Sequence, residues 1–279
     1  MAAGINQCAH PQARFFTRRL FLKKHTAEQI ERLLTVYQNA RMRLVDRRLL
    51  QCDGVNLRFA FGWLVPPSDD EAMSLLKDPS FVLAYLGALK DLKVKNILEV
   101  GIFDGGSSVF FWSLFRVKKM CCIDLKDSVP HLEKYISEQA LDRSLSLWLG
   151  VDQGDQEKIR SVIKKDFCGD PIDLIIDDAC HLYHPSKKLF ETTFPSLRCG
   201  GFYVLEDWKA NLAFPNLGGG NPDRPTLHQL AYEITVFSMY NPDVIASVRY
   251  LHNFVIFERG SAPIDPYQFS IDELAAQIE

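Results

Sequence analysis

The sequence has no C-x-x-C pair, no internal repeat, no low-complexity tract and no apolar run long enough to span a bilayer. Its seven cysteines are Cys8, Cys52, Cys121, Cys122, Cys168, Cys180 and Cys199. Their odd number and spacing speak against a disulfide framework and a zinc knuckle, and point to a reducing compartment. The longest clean apolar run, 81–89, is nine residues, against roughly 20 for a membrane-crossing helix. The amino-terminal cations Arg18, Arg19, Lys23 and Lys24 stand without the apolar segment of a secretory signal. With 35 acids and 32 bases the net charge is −3, which lacks the basic excess of a nucleic-acid or anionic-membrane binder. A cytoplasmic protein with neither nucleic acid nor membrane as its partner is expected.

What is present is an ordinary globular composition. The 279 residues are 47% hydrophobic and 24% charged, which excludes disordered, collagen-like and coiled-coil classes and leaves room for one large domain or two small ones. Thr26 and Gln29 read as a capping box. Ile30, Leu33, Leu34, Tyr37, Ala40 and Leu44 then recur at helical spacing, predicting a long amphipathic helix to about residue 50. Residues 55–65 read as a strand stopped by Pro66-Pro67, and Ser68-x-x-Glu71 as the start of a second helix running to about Leu92, with a break at Asp78-Pro79. The segment 1–92 is thus expected to be a mostly helical extension, serving as a lid or as a surface for homo-oligomerisation through its helices.

From Lys95 the pattern changes to short apolar runs at 96–100, 119–124, 144–149, 172–177 and 201–206, separated by helical stretches. Such alternation predicts βαβ units and an α/β, doubly wound, Rossmann-like sheet over 93–260. Two final runs around His252-Asn253 predict an antiparallel hairpin at its edge, giving seven strands, and 261–279 reads as a tail with a short helix. The segment 208–225, with Gly218, Gly219 and Gly220, is long enough to be a lid or binding loop.

The first run leads into Glu99-Val100-Gly101-Ile102-Phe103-Asp104-Gly105-Gly106-Ser107, a glycine turn between a strand and a helix. Glycines there let the backbone approach a ligand beside the helix N-terminus. The turn is not G-x-G-x-x-G, so the dinucleotide fingerprint is poorly matched. Asp124 ends the second strand, where a carboxylate can accept both ribose hydroxyls of an adenosine; a cap on the following turn is the structural alternative. Asp152 and Gln153 follow the third strand, where an adenine edge would lie.

The fourth strand delivers Asp177-Asp178-Ala179-Cys180-His181 and the fifth Glu206-Asp207-Trp208. Adjacent strands at the switch point bring Asp178, Glu206 and Asp207 into one cleft. Three carboxylates there repel unless a cation compensates, and an all-oxygen set selects a hard ion: Mg2+ first, with Mn2+ or Ca2+ as alternatives. His181 reaches the same cleft and suits a general base; His184 and Tyr183 are rivals. Asp177 is the acid for which a purely structural role, a strand-end carboxylate bonded to a helix N-terminus, is most expected.

These residues carry a resemblance. Five segments match in order over about 110 residues: E-V-G-I-F-D-G-G-S (99–107), D-Q-G-D (152–155), I-I-D-D-A-C-H (175–181), F-P-S-L-R-C-G-G (194–201) and L-E-D-W (205–208). They resemble the magnesium-dependent class I methyltransferases typified by the macrolide-sugar O-methyltransferases of the mycinamicin and macrocin type and the cephalosporin hydroxylase/rhamnosyl O-methyltransferase group. The resemblance implies Asp178, Glu206 and Asp207 as metal ligands and His181 as catalytic base. It implies S-adenosyl-L-methionine as methyl donor, held by Glu99, Gly101, Ser107, Asp124, Asp152, Gln153 and Asp177. The chain departs from the family at Ala179-Cys180, where Gly-Ser is usual, and at Arg198-Cys199, ahead of Gly200-Gly201.

The implied activity is a natural-product transferase: methyl transfer to a hydroxyl of a small-molecule acceptor, a sugar or polyketide, with the acceptor oxygen oriented on the metal and His181 taking its proton. Two other readings share the fold: a nicotinamide-dependent oxidoreductase and a non-catalytic adenosyl-binding module.

Overall fold

A computed structural model of the chain describes residues 24–37, 41–60, 65–213 and 224–274. The chain divides into two compact units, Met1–Lys90 and Asp91–Glu279.

In the first unit, helix α1 (Lys24–Val36) is followed by strands β1 (Met42–Leu44), β2 (Leu49–Cys52), β3 (Val55–Phe59) and β4 (Met73–Leu75), then by helix α2 (Pro79–Leu89). The strands form one sheet in the order β1-β2-β3-β4, antiparallel except for the β3/β4 pair. The helix expected through residue 50 therefore ends at Val36, and the described residues of this extension are not mostly helical. The reason lies at Asp53-Gly54: with Cys52 paired to Val55 and φ of 48° and 87° at the two central residues, the pair makes a two-residue hairpin turn with both φ positive. The turn commits the apolar residues on each side to a ladder, and Leu50, Cys52 and Leu57 are fully buried on it. Thr26 is the third residue of α1 rather than its cap.

The second expected helix also begins later. Asp69 accepts the amides of Glu71 (3.0 Å) and Ala72 (2.9 Å), and Ser68 Oγ accepts that of Ser74 (2.9 Å), so 68–72 is a tight turn into β4. Asp78-Pro79 starts α2 rather than breaking it: the Asp78 carboxylate caps the amide of Phe81 at 2.8 Å and the proline sits where no donor is needed.

In the second unit the strands are β5 (Asn96–Val100), β6 (Lys119–Ile123), β7 (Leu145–Trp148), β8 (Ile172–Asp177), β9 (Leu197–Glu206), β10 (Ile245–Tyr250) and β11 (Phe254–Arg259). Between them lie helices α3 (Gly106–Phe115), α4 (Pro130–Glu138), α5 (Gln156–Phe167), α6 (Tyr183–Thr193), the short α7 (Ala210–Ala213) and α8 (Leu227–Tyr240). The sheet order is β10-β11-β9-β8-β5-β6-β7. β5 to β9 are mutually parallel, and the β10/β11 hairpin adds an antiparallel edge, a Rossmann-like doubly wound sheet. Helices on both faces explain why β5 and β8 are buried at every residue.

Asp155 caps α5 through the amide of Lys158 (3.0 Å), and Thr226 with Gln229 forms a capping box on α8. Phe190 centres an aromatic cluster with Phe194, Tyr203 and Phe257. Ile271, in a short 3-10 turn (Ile271–Leu274), packs into the same core. The chain reverses direction across the sheet between β5 and β8, which locates the ligand crevice at their carboxyl ends. Of the lid expected at 208–225, residues 214–223 with the three glycines lie outside the described residues.

Candidate active site

The first turn is built on a close crossing of the main chain. Gly101 has φ of +88°, its amide donates to the Ile123 carbonyl (2.8 Å), and the Asp178 amide donates to the Val100 carbonyl (2.9 Å). A Cβ on Gly101 would lie 2.2 Å from the Asp178 carbonyl oxygen and 2.5 Å from Ala179 Cα. This glycine therefore joins the first turn to the acidic loop after β8.

Asp124 faces the same turn. Its Oδ2 accepts the amides of Ile102 (2.9 Å) and Phe103 (3.2 Å), and its Oδ1 that of Lys126 (2.9 Å). Three of about four acceptor positions on the carboxylate are thus occupied by backbone. Lys126 closes the arrangement from outside: its ammonium donates to the Phe103 carbonyl (2.7 Å) and to Asp104 (3.2 Å) and lies 4.3 Å from the Phe103 ring centre. Sequence reasoning passed over Lys126 and Phe103, although a cation two residues beyond Asp124 was a visible signal.

Glu99 is fully buried and accepts the Ser108 hydroxyl at 2.5 Å, with Cys122 Sγ 3.9 Å away. Burial, and then the Glu99 charge, push the Cys122 thiol well up. Ser107 sits, nearly buried, in the first turn of α3. Asp152 is exposed and accepts the Gly154 amide (2.7 Å). Gln153 beside it is buried at 6% exposure.

Asp177, with Oδ1 accepting from Gln153 Nε2 (2.6 Å) and Oδ2 from Tyr203 Oη (2.9 Å), lies inside the protein. Burial pushes its carboxyl up to about 6, against the opposing pull of the Tyr203 hydroxyl and of nearby His181. The upward shift follows from taking a carboxylate out of water with neutral donors as its main partners.

The acids and the histidine meet at the ends of β8 and β9. Asp178, His181 and Asp207 each offer a ligand atom within 4.8 Å of the others. His181 Nε2 is 3.9 Å from Asp178 Oδ1 and 3.9 Å from Asp207 Oδ2. Both His181 (φ 54°) and Asp207 (φ 49°) are in the left-handed region, a strain held by surrounding contacts. Glu206, at 1% exposure, precedes Asp207 in the chain and is outside that group of three. His184 is exposed and stacks edge-on to Tyr183 (5.0 Å), whose hydroxyl donates to Glu233 at 2.5 Å.

The strain at Asp207 has a visible support. Its amide donates to the Asn253 carbonyl (2.7 Å), the Trp208 indole N–H to the Leu251 carbonyl (3.2 Å), and Lys209 Nζ lies 2.8 Å from His252 Nδ1. The hairpin turn between β10 and β11 thus holds the segment after β9. In the sequence, His252-Asn253 signalled only a turn.

The site is thus a glycine turn at the switch point of a Rossmann-like sheet, with acids and a histidine gathered after two adjacent strands. Residues 98–208 match the family model described as a methyltransferase domain.

Among curated proteins, 8-demethyl-8-(2-methoxy-alpha-L-rhamnosyl)-tetracenomycin-C 3'-O-methyltransferase of Streptomyces olivaceus is 32% identical over 132 residues, 44% of this chain and 30% of that protein. L-olivosyl-oleandolide 3-O-methyltransferase of Streptomyces antibioticus is 31% identical over 141 residues, 48% of this chain and 33% of that protein. The chain spans about a third of the length of these curated relatives. Among solved structures, the MycE methyltransferase of the mycinamycin biosynthetic pathway, in complex with Mg, SAH and mycinamycin VI, shares the fold. Its TM-score is 0.50 at 20% identity, covering 83% of this chain and 53% of that one. Among the described residues no helix is long and apolar enough to cross a membrane.

Proposed function

We propose that the chain transfers a methyl group from S-adenosyl-L-methionine to a hydroxyl oxygen of a small glycosylated or polyketide acceptor, with a divalent cation held by Asp178, Glu206 and Asp207 and His181 as base. The observation that carries the reading is the convergence of His181 Nε2 on Asp178 and Asp207, at 3.9 Å from each, beside the switch point. The activities of the relatives, O-methyltransferases of sugar-bearing natural products, support this choice of acceptor class.

The donor set suits a hard ion: carboxylate oxygens predominate, one imidazole lies alongside, and no thiolate takes part. Glu206 enters through the register. Asp177 pairs with Leu205 at the end of the parallel β8/β9 ladder, so Asp178 and Glu206 each follow directly on that last pair. When bound, the cation supplies Lewis acidity that makes the acceptor hydroxyl easier to deprotonate.

The remaining work falls to the protein. His181 Nε2, too far from either carboxylate for a hydrogen bond, is available to accept the hydroxyl proton. Asp124 and the turn at 101–106 orient the donor through the adenosine, and Asp152 lies exposed where the adenine edge falls. Placing the acceptor oxygen in line with the sulfonium methyl accounts for most of the expected rate gain.

The test is transfer of a labelled methyl group to glycosylated polyketide acceptors by the full chain, with magnesium or with a chelator, the product located by mass spectrometry. Label transfer that needs the cation is expected. The His181→Ala variant is expected to lose about a hundredfold or more in turnover while still binding S-adenosylhomocysteine. Transfer that persists in chelator would remove the cation from the reading, and unchanged turnover in His181→Ala would remove the base.

A further inference from the structure

Gln153 sits next to Asp152 in the position expected for an adenine ligand, yet its carboxamide is turned inward and fully engaged. At 6% exposure, its Nε2 donates to Asp177 Oδ1 (2.6 Å) and Ser186 Oγ (3.2 Å), and its Oε1 accepts the amide of Cys180 (3.3 Å). One side chain thereby ties the loop after β7 to the end of β8, to the first turn of α6 and to the middle of the loop carrying Asp178 and His181. Tyr203, donating to Asp177 Oδ2 (2.9 Å), fixes the far side of the same network.

The requirement is specific to a carboxamide of this length. Asp177 accepts from the carboxamide N–H and the Cys180 amide donates to the carboxamide oxygen, so one group serves both partners. Glutamate would offer no donor and set a second carboxylate against Asp177. Leucine would offer neither, and asparagine falls one methylene short. Immediately beyond the amide that Gln153 holds, the chain turns into the left-handed conformation at His181 (φ 54°), which a free loop would leave.

We infer that Gln153 is a positioning residue: it locks the loop 178–181 so that Asp178 and His181 face Asp207, and it does not read the adenine ring. The inference rests on the proposed cation site, because its consequence is felt at Asp178. Residues that orient metal ligands typically contribute about 10- to 100-fold to affinity.

The experiment compares the full-length wild type with Gln153→Leu by three measurements: manganese affinity by electron paramagnetic resonance, S-adenosylhomocysteine affinity by calorimetry in chelator, and the thermal unfolding midpoint. Manganese binding weakened about tenfold, with S-adenosylhomocysteine affinity unchanged, is expected. If Gln153→Leu does not fold, Gln153→Asn, which keeps both polar groups, is expected to show the same selective loss to a smaller degree.

Loss of S-adenosylhomocysteine affinity with manganese binding intact would return Gln153 to the adenine and overturn the inference. Unchanged binding of both, or equal loss of both, would also overturn it. A wild type that fails to retain manganese would bring down the cation reading of the proposed function and this inference with it, whereas retention by both wild type and variant brings down the inference alone.

Discussion

A Cβ placed on Gly101 would stand 2.2 Å from the carbonyl oxygen of Asp178, so the first turn and the acidic loop share one crossing point of the main chain. Gly101→Ala is therefore expected to act on both at once. The left-handed φ of +88° adds roughly 1–2 kcal/mol of strain, and the collision with fixed backbone adds about 1–3 kcal/mol more. Gly169 supplies the control in the same unit: its φ is +91°, but a Cβ there meets nothing within 4 Å. Denaturant unfolding should show a small loss for Gly169→Ala and a loss several times larger for Gly101→Ala. Equal losses would mean that the crossing relaxes freely.

The cysteines divide by environment. Cys52, Cys121 and Cys122 are buried, and burial pushes all three thiols well above their ordinary range. Cys168 and Cys199 are exposed. Since the thiolate is the reactive form, a thiol reagent at about pH 8 should label Cys168 and Cys199 rapidly in the folded protein and reach the other three only in denaturant. Cys180 is exposed, but partial desolvation, with the Asp177 and Asp152 charges behind it, pushes its thiol up to about 11. It should react more slowly than Cys168. Mass spectrometry of the labelled peptides at successive times reads this order directly.

In the first unit, the Arg58 hydrogen bond (2.8 Å), followed by the Ala72 amide, holds the Asp69 carboxyl below its usual range. The ionised form is favoured in the folded state, so this contribution is fully present above the ordinary carboxylate range and is lost as the pH falls from there through the lowered folded-state value. Asp69→Asn keeps an oxygen for the two turn amides and loses the ion pair. Its unfolding midpoint should lie below that of the wild type near neutral pH, and the two curves should converge in acid, below the ordinary carboxylate range. A gap that persists in acid would assign the effect to the turn alone.

How far these features were legible in the sequence differs between the two units for a physical reason. From Asn96 to Glu206 each apolar run is short, flanked by turns and separated from the next by a helical stretch, and β5 and β8 occupy the expected residues. Before residue 60 the helical spacing of Ile30, Leu33 and Leu34 continued by coincidence into Ala40 and Leu44. The Asp-Gly pair at 53–54, a hairpin signal flanked by apolar residues, outweighs that coincidence.

The acids at the strand ends were legible because topology alone brings β8 beside β9. Which atoms converge was not, because the left-handed turns at His181 and Asp207 depend on partners remote in sequence, Asn253 among them. The inward rotation of Gln153 was hidden for the same reason: a polar residue after a strand reads as ligand-facing until its burial is known.

The three proposed ligands separate in a stability measurement that needs no acceptor. A cation that binds only the folded state raises stability by mass action, about 2.7 kcal/mol at a hundred times its dissociation constant. Magnesium is therefore expected to raise the thermal midpoint of the wild type in proportion to the logarithm of its concentration once above saturation. Asp178→Asn and Asp207→Asn each remove a carboxylate from the group within 4.8 Å, and the rise should vanish in both. Glu206, at 1% exposure, is the discriminating case. If its carboxylate turns toward the ion once the ion is present, Glu206→Gln abolishes the rise as well. A Glu206→Gln protein with a shifted midpoint but the full magnesium-dependent rise would leave Asp178, Asp207 and His181 as the binding set, and would move Glu206 to the support of the loop behind them.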